Sequence, residues 1–283
     1  INDIMPVDHY ENFPVASLLV PRRLRSAVVN IYCFARSADD IADEGDADSQ
    51  TRLNQLDVYW RQLKAIEEGA YEVNQPDSLA HIFKPLATTI HKHQLSLAPF
   101  FDLLSAFSQD VQKNRYASEQ ELLDYCSRSA NPVGRLMLQL YGTDTAVNRA
   151  LSDDICTGLQ LANFWQDIAI DWQKQRVYLP QSNMQQYGVT EHHIANGICD
   201  AAWQKLMQAQ TRQAQTMLRN GFPLVRNVGG RLGLELKLVI FGGLRILERL
   251  EQLNYNVFSQ RPKLNKGDWV LLLGRALSRR ACP

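Results

Sequence analysis

Apolar residues recur every three or four positions along most of the chain, which is the period of an α-helix with one buried face. The first strong helical segment follows Pro21, a residue favoured at the start of a helix. Its apolar stripe consists of Leu24, Val28, Ile31 and Ala35. Few segments alternate apolar and polar residues for long enough to predict a strand. The pattern therefore predicts an all-α protein.

The same periodicity predicts helices over 22–44, 49–68, 78–93, 97–114, 119–141, 146–173, 190–221, 224–253 and 266–278. The prolines at positions 99, 223 and 262 fall between these runs, as expected for turn and helix-end residues. No internal repeat and no low-complexity linker divides the sequence. We therefore predict one domain over residues 1–283.

Composition narrows the class of ligand. Apolar residues make up 45% of the chain, enough for a large core and an apolar cavity. Because 30 basic residues balance 30 acidic ones, no broad positive field attracts nucleic acid, and we predict no nucleic-acid partner. An anionic ligand must then be held locally, by metal ions or a few arginines.

The five cysteines show no C-x-x-C pair, and residues 1–12 lack a secretory pattern, so we expect a cytoplasmic protein.

The first candidate motif is the acidic end of the first helix, residues 39–43. Asp39 and Asp43 are four residues apart, so both carboxylates lie on one helix face, about 6 Å apart along the axis. Carboxylate oxygens are preferred ligands of Mg²⁺, which usually takes one or two of them beside phosphate and water oxygens. Arg36 lies one turn earlier and could bind a phosphate. A solvated acidic helix end is the alternative interpretation.

The second motif repeats this chemistry on the helix predicted over 146–173. Its polar residues recur every three or four positions and share one stripe; they are Gln160, Asn163, Asp167 and Asp171. The intervening positions are apolar, and half-buried acids are costly unless something pairs with them. A polar surface helix is the alternative here. Together, two facing motifs predict a site where Mg²⁺ neutralises a diphosphate leaving group beside a dry apolar cavity.

These residues resemble the squalene and phytoene synthases, head-to-head isoprenoid synthases with an all-helical fold. The resemblance covers nearly the whole chain and is carried by segments 32–43, 125–126, 160–171 and 176–180, with Gly134. Segments 9–17 and 129–134 are most similar to the hydroxysqualene synthase branch of bacterial hopanoid pathways. The resemblance implies a single type I isoprenoid synthase bundle around a central apolar cavity.

It also implies an activity: ionisation of presqualene diphosphate with two or three Mg²⁺ ions, then addition of water to give hydroxysqualene. By position, the metal ligands would be Asp39, Asp43, Asn163, Asp167 and Asp171. The substrate-binding residues would be Phe13, Arg36, Gln160, Arg176 and Tyr178. Tyr125 would lie near the reacting carbons. A partner enzyme would make presqualene diphosphate.

Three departures from the family pattern limit this interpretation. Gln166 replaces an arginine expected to bind diphosphate, and Gly243 replaces a tyrosine, which either enlarges the cavity or allows close helix packing. Asn131 could hold the attacking water or simply begin a helix before a proline. These changes favour a single-step enzyme over one that condenses two farnesyl diphosphates.

Two alternatives to a hydroxysqualene synthase stay open: a condensing prenyltransferase, and an inactive helical scaffold. No G-x-G-x-x-G segment follows a strand, so we predict that no NADPH is used. The basic, amphipathic segment 267–280 either lies on the inner face of the cytoplasmic membrane or packs as a last helix.

Overall fold

The computed structural model describes residues 20–71 and 78–277, which are mostly α-helical. In chain order the helices are α1 (Arg22–Asp43), α2 (Ser49–Glu67), α3 (Ala80–His93), α4 (Ala98–Asp110), α5 (Glu119–Ser129), α6 (Asn131–Tyr141), α7 (Ala146–Gln173), α8 (Gln181–Tyr187), α9 (Glu191–Ala195), α10 (Ala201–Gly221), α11 (Leu224–Val228), α12 (Gly230–Gln252) and α13 (Lys266–Leu277). Over these ranges the structure contains no β-strand and only one isolated β-bridge, between Arg115 and Val177. The prediction of an all-α protein is confirmed.

Three of the predicted helices are each divided in two, and α8 was not predicted at all. The segment 119–141 divides into α5 and α6 because Pro132, which has no backbone N–H, lies in the first turn of a new helix. The segment 190–221 is interrupted at Gly197, and 224–253 at Gly229, which adopt φ values of +63° and +57°. Glycine reaches this left-handed region without a steric penalty, so the chain can turn there.

The helices enclose two apolar cores. The first is formed mainly by α1–α4 and α6, with the ring of Phe34 packed against three other aromatic rings, those of Tyr59, Phe83 and Phe100. The second is formed mainly by α5, α7, α10 and α12. Helix α7 packs along α10 and also contacts α6 and α12, so it runs through the centre of the second core. Burial of these apolar stripes stabilises the fold, at roughly 25 cal/mol for each Å² removed from water.

The chain turns after α7, and this turn positions part of the candidate site. Gln175 adopts a left-handed φ of +60°, and the backbone N–H of Arg176 donates to the carbonyl of Asp171 at 2.8 Å. Val177 then donates to the carbonyl of Asn114 at 3.0 Å, within the isolated bridge. The segment that follows α7 is thereby fixed beside the connection between α4 and α5.

No helix among residues 20–71 and 78–277 is both long enough and apolar enough to cross a membrane.

Candidate active site

The first acidic motif occupies the last two turns of α1. Asp39 and Asp43 lie on one side of the helix, and both are partly exposed, with 39% and 21% of their side chains accessible to solvent. Arg36 makes ion pairs with Asp40 at 2.6 Å, with Glu44 at 2.9 Å and with Asp39 at 3.5 Å. The arginine predicted to bind phosphate therefore lies among the carboxylates at this helix end.

The second motif lies along α7, where it is more deeply buried. Asp167 is only 9% exposed, and the Asn163 amide donates to its carboxylate at 3.2 Å. Arg261, from the loop before α13, also binds Asp167, with Nη2 at 2.8 Å from Oδ2. Asp171 follows one turn later and is partly buried. The polar stripe is therefore not a solvated surface, as the alternative interpretation required.

Arg176 joins the two motifs. Its guanidinium group binds both carboxylate oxygens of Asp43, with Nη1 at 2.8 Å from Oδ2. Its backbone is hydrogen-bonded to Asp171, and the negative charge of Asp43 acts on the Asp171 carboxyl group. Lys174 also approaches Asp43, at 3.9 Å. The acidic ends of α1 and α7 therefore face one another across a strongly basic side chain.

The crowding of these carboxylates changes their acidity. Burial, followed by the charge of Asp43, raises the pKa of Asp39 to about 6. Burial, followed by the charge of Asp167, raises the pKa of Asp171 to about 7. Each ionised form is disfavoured because too little positive charge lies nearby. A bound cation would relieve this repulsion, so both carboxylates are suited to hold one.

The donor set fits Mg²⁺ by its chemistry. Its members are Asp39, Asp43, Asn163, Asp167 and Asp171, which offer the oxygen ligands that this hard cation prefers. In the described part of the chain, no three Asp, Glu, His or Cys side chains converge as a ready-made cation site. Mg²⁺ usually takes only one or two protein carboxylates and completes its shell with water and phosphate oxygens. A Mg²⁺ ion held here would therefore need oxygen ligands from outside the protein to complete its shell.

An aromatic cluster lies next to Arg176. The ring of Tyr178 stacks on Phe164 with their centroids 3.7 Å apart, and it lies 6.1 Å from Tyr125 and 5.7 Å from Tyr116. Tyr125 and Tyr178 were expected here, whereas Tyr116 and Phe164 were not. Phe164 had only been recognised as an apolar position between polar ones. The cluster provides an apolar wall beside the acidic groups.

Two further charged residues of the site were missed. Arg261 binds Asp167 from 94 positions further along the chain. Asp110 ends α4 and accepts a hydrogen bond from the Tyr125 hydroxyl at 2.8 Å. Neither residue belongs to a motif with regular spacing, because each reaches the site only through the packing of distant elements. A single charged residue near a helix end gives no distinguishing signal in the sequence.

The departures from the family pattern have structural explanations. Gln166 donates its amide to the carbonyl of Pro262, so it anchors the loop before α13. Asn131 begins α6, is buried, and accepts a hydrogen bond from Thr157 at 2.9 Å. A Cβ atom on Gly243 would lie 2.8 Å from a methyl group of Leu159, so this glycine allows close helix packing. Phe13 lies outside the described residues.

Comparison with known proteins identifies the family. The squalene/phytoene synthase family model matches residues 7–268. A hydroxysqualene synthase of Rhodopseudomonas palustris is 34% identical over 95% of this chain and 88% of its own length. A 15-cis-phytoene synthase of Synechococcus elongatus is 28% identical over 89% of this chain and 83% of its own.

A solved structure agrees with this assignment. Squalene synthase HpnC of Alicyclobacillus acidocaldarius superposes with a TM-score of 0.79 and 36% identity, over 88% of this chain and 90% of the other. A dehydrosqualene synthase, at 24% identity, shares the fold with a TM-score of 0.81, over 95% of this chain and 91% of its own. The chain therefore belongs to the squalene/phytoene synthase family, head-to-head isoprenoid synthases that act on prenyl diphosphates.

Proposed function

We propose that this enzyme is a hydroxysqualene synthase, which ionises presqualene diphosphate with Mg²⁺ and adds water to the rearranged carbocation. One observation carries the proposal: Arg176 joins the two acidic motifs and lies beside the aromatic cluster. Relatives named hydroxysqualene synthase, at 34% and 31% identity, support this choice of reaction.

The polar half of the site would hold the leaving group. The carboxylates of α1 and α7, with Asn163, would hold Mg²⁺, which supplies the positive charge that stabilises diphosphate as its C–O bond breaks. Arg176 presents a planar guanidinium fork that matches the spacing of phosphate oxygens. On substrate binding, Arg176 would exchange Asp43 for diphosphate oxygens. Arg36 and Gln160 would complete the contacts with the diphosphate and its ions.

The apolar half would hold the carbocation. The rings of Tyr125, Phe164 and Tyr178 offer negative π faces, which attract a cation, and their packing excludes bulk water. The oxygen of one retained water would form the new C–O bond, and that water would pass a proton to the released diphosphate. Among the hydroxyl groups of the cluster, we assign to that of Tyr125 the orientation of this water. Because the reaction consumes water and not hydride, no NADPH is required.

Condensation of two farnesyl diphosphates is the second candidate. It is favoured by the relatives named phytoene synthase and by the solved structure described as a squalene synthase. If our first proposal holds, a separate condensing enzyme must supply presqualene diphosphate to this one.

Purified enzyme supplied with Mg²⁺ and either presqualene diphosphate or farnesyl diphosphate distinguishes the two reactions. We expect hydroxysqualene, identified by mass spectrometry, from presqualene diphosphate only. Rapid condensation of farnesyl diphosphate without turnover of presqualene diphosphate would show the enzyme to be a condensing transferase.

Single variants distinguish an enzyme from an inactive scaffold. We expect Asp39→Ala and Asp167→Ala to abolish diphosphate release. Asp57→Ala is the matched control, because Asp57 is an exposed acid on α2 paired with Arg61 at 2.8 Å. Unchanged release in the first two variants would refute the proposed site.

We also propose that α13 binds the inner surface of the cytoplasmic membrane, where an apolar substrate and product reside. Asp268 anchors one side of α13 through ion pairs with Arg245 and Arg249. The other side exposes 54% of Trp269 and 71% of Val270. The exposed residues Lys263 and Lys266 lie just before these apolar side chains. Exposed tryptophan beside lysine suits an interface with anionic lipid.

Co-sedimentation with vesicles tests this location. We expect binding to phosphatidylglycerol vesicles, weaker binding to phosphatidylcholine vesicles, and loss of binding in Trp269→Glu/Val270→Glu. Val147→Glu is the matched control, because Val147 is 65% exposed at the start of α7. If the double variant binds as the parent does, α13 is not the membrane surface. If the exposed side of α13 instead binds a second copy of the chain, sedimentation velocity without lipid should show a dimer.

A further inference from the structure

Asp110 is an acidic side chain at the edge of the candidate site that the scheme above does not use. It is the last residue of α4, and its two carboxyl oxygens have different surroundings. Oδ2 accepts a hydrogen bond from the Tyr125 hydroxyl at 2.8 Å. Oδ1 is shielded from solvent and has no hydrogen-bond partner among the described residues. A buried polar oxygen left without a partner is costly, so its retention needs a reason.

The groups around Asp110 come from several elements. The charged groups whose fields act on it are Arg176, after α7, and Asp39 and Asp43, on α1. Tyr125, on α5, is its hydrogen-bond donor, and the phenols of Tyr116 and Tyr178 lie close enough for its charge to act on them. The charges of two carboxylates therefore disfavour the ionised form of Asp110, whereas one arginine and the Tyr125 hydrogen bond favour it. That arginine already binds Asp43.

An ionised Asp110 would be poorly stabilised in these surroundings. Burial is the largest cause that raises its pKa, to about 8, and the charges of Asp39 and Asp43 act in the same direction. A neutral carboxyl group still accepts a hydrogen bond from a phenol through its carbonyl oxygen. The geometry at Tyr125 therefore does not require a negative charge on Asp110.

We propose that Asp110 is a positioning residue, whose neutral carboxyl group holds the Tyr125 hydroxyl in the orientation that determines where water adds to the carbocation. Tyr125 is otherwise surrounded by rings, with centroid distances of 5.4 Å to Tyr116 and 6.2 Å to Phe164. Ring packing fixes the plane of a phenol but not the direction of its O–H bond. The hydrogen bond to Asp110 supplies that direction.

The inference rests on the proposed function in one respect, because Tyr125 must lie next to the reacting carbons. The inference predicts different effects on catalysis for two replacements of Asp110. Asparagine keeps a carbonyl oxygen in place of Oδ2 and has no charge, so it imitates the neutral acid. Alanine removes the acceptor altogether and leaves the Tyr125 hydroxyl without its partner.

The experiment compares Asp110→Asn, Asp110→Ala, Tyr125→Phe and the double variant Asp110→Ala/Tyr125→Phe. Each is assayed with whichever prenyl diphosphate the parent enzyme turns over, for diphosphate release and for the ratio of alcohol to hydrocarbon products. We expect Asp110→Asn to keep the parental product ratio and kcat within about threefold. Asp110→Ala should lower kcat about tenfold, the size of effect expected for one hydrogen bond, with little change in KM.

The double variant separates positioning from general structural damage. If Asp110 acts through Tyr125, adding Asp110→Ala to Tyr125→Phe should change neither the product ratio nor kcat further. Asp102→Ala is the matched control, because Asp102 lies on the same helix and approaches Arg135 instead, at 3.9 Å. Circular dichroism and the Tm of each variant verify that it has folded.

Two outcomes would overturn the inference: an Asp110→Asn variant as impaired as Asp110→Ala, or additive effects in the double variant. The first would show that the negative charge is needed, and the second that Asp110 acts independently of Tyr125. Because every variant is measured on the substrate that the parent accepts, failure of the hydroxysqualene synthase assignment would appear separately, as a parent enzyme inactive on presqualene diphosphate.

Discussion

At the scale of single residues, the site contains three acids whose ionised forms are poorly stabilised by the protein alone. Burial raises the pKa of Asp39, Asp171 and Asp110 to about 6, 7 and 8. Asp39 and Asp171 both lie within the field of Arg176, where a cation would stabilise them further, whereas Asp110 faces the phenol of Tyr125. In our proposals, the same burial would favour a bound cation at two carboxylates and a neutral form of the third.

Asp110 should make the stability of the metal-free protein depend on pH. Its pKa is about 8 in the folded protein and near 3.8 in the unfolded chain, so folding takes up a proton between these values. Its contribution to the free energy of unfolding is therefore fully present below pH 4 and is lost as pH rises toward 8. Asp110→Asn should remove this loss, so the variant gains stability over the parent as pH rises.

Urea denaturation in EDTA at pH 5.5 and pH 8 measures the difference. Asp46→Asn is the control, because Asp46 is exposed in the loop after α1. A stability gain for Asp110→Asn that is the same at both pH values would contradict the prediction.

At the scale of elements, glycines allow α7 to pack closely against its neighbours. A Cβ atom on Gly221, at the end of α10, would lie 2.6 Å from the Leu151 carbonyl oxygen of α7 and 2.4 Å from Ile155. On Gly158, in α7 itself, a Cβ atom would lie 2.9 Å from Leu218 of α10. In its first half, the helix that carries the second acidic motif therefore packs against α10 so closely that only glycine fits at these two positions.

Gly221→Ala should destabilise the protein by about 1–3 kcal/mol, because the new methyl group would meet backbone atoms that cannot move away cheaply. Gly274→Ala is the matched control, because Gly274 lies in α13 with open space around it. This second change should be neutral or should stabilise by up to about 1 kcal/mol, since alanine favours a helix more than glycine does. Urea denaturation of both variants would contradict this account if Gly221→Ala were the more stable.

At the scale of the whole molecule, the candidate site lies where the two apolar cores meet. Helix α1 belongs to the first core and α7 to the second, and Arg176 connects them through Asp43, 133 positions away in the chain. Helix α4 contributes to the first core and also carries Asp110 into the site. A ligand that binds both acidic motifs would therefore hold the two cores together.

Mg²⁺ together with inorganic diphosphate should raise the Tm of the protein, because both would bind the folded state only. At a ligand concentration 100 times the Kd, binding adds about 2.7 kcal/mol to the free energy of unfolding. We expect EDTA to reverse the shift, and Asp171→Asn to reduce it. Asp57→Asn, on the exposed face of α2, serves as the control and should keep the full shift. An equal shift in Asp171→Asn would place the binding of these ions elsewhere.

The sequence alone determined the helical class of the fold, most of the helical segments and the local spacing within each motif. Helical period is a property of neighbouring residues, so the stripe of Asn163, Asp167 and Asp171 and the pair Asp39 and Asp43 could be placed on helix faces without a structure. The divisions at Gly197 and Gly229 were missed because glycine within an amphipathic segment is compatible with either a continuous or a broken helix.

The tertiary structure alone decided which charges meet. The pairing of Arg261 with Asp167 and of Asp110 with Tyr125 has no local pattern, because each depends on how separate helices and loops pack. The same packing decided that Gly243 serves close helix contact, a choice that the sequence left open. Spacing along one helix fixes which side chains share a face, but only the arrangement of the helices fixes what that face meets.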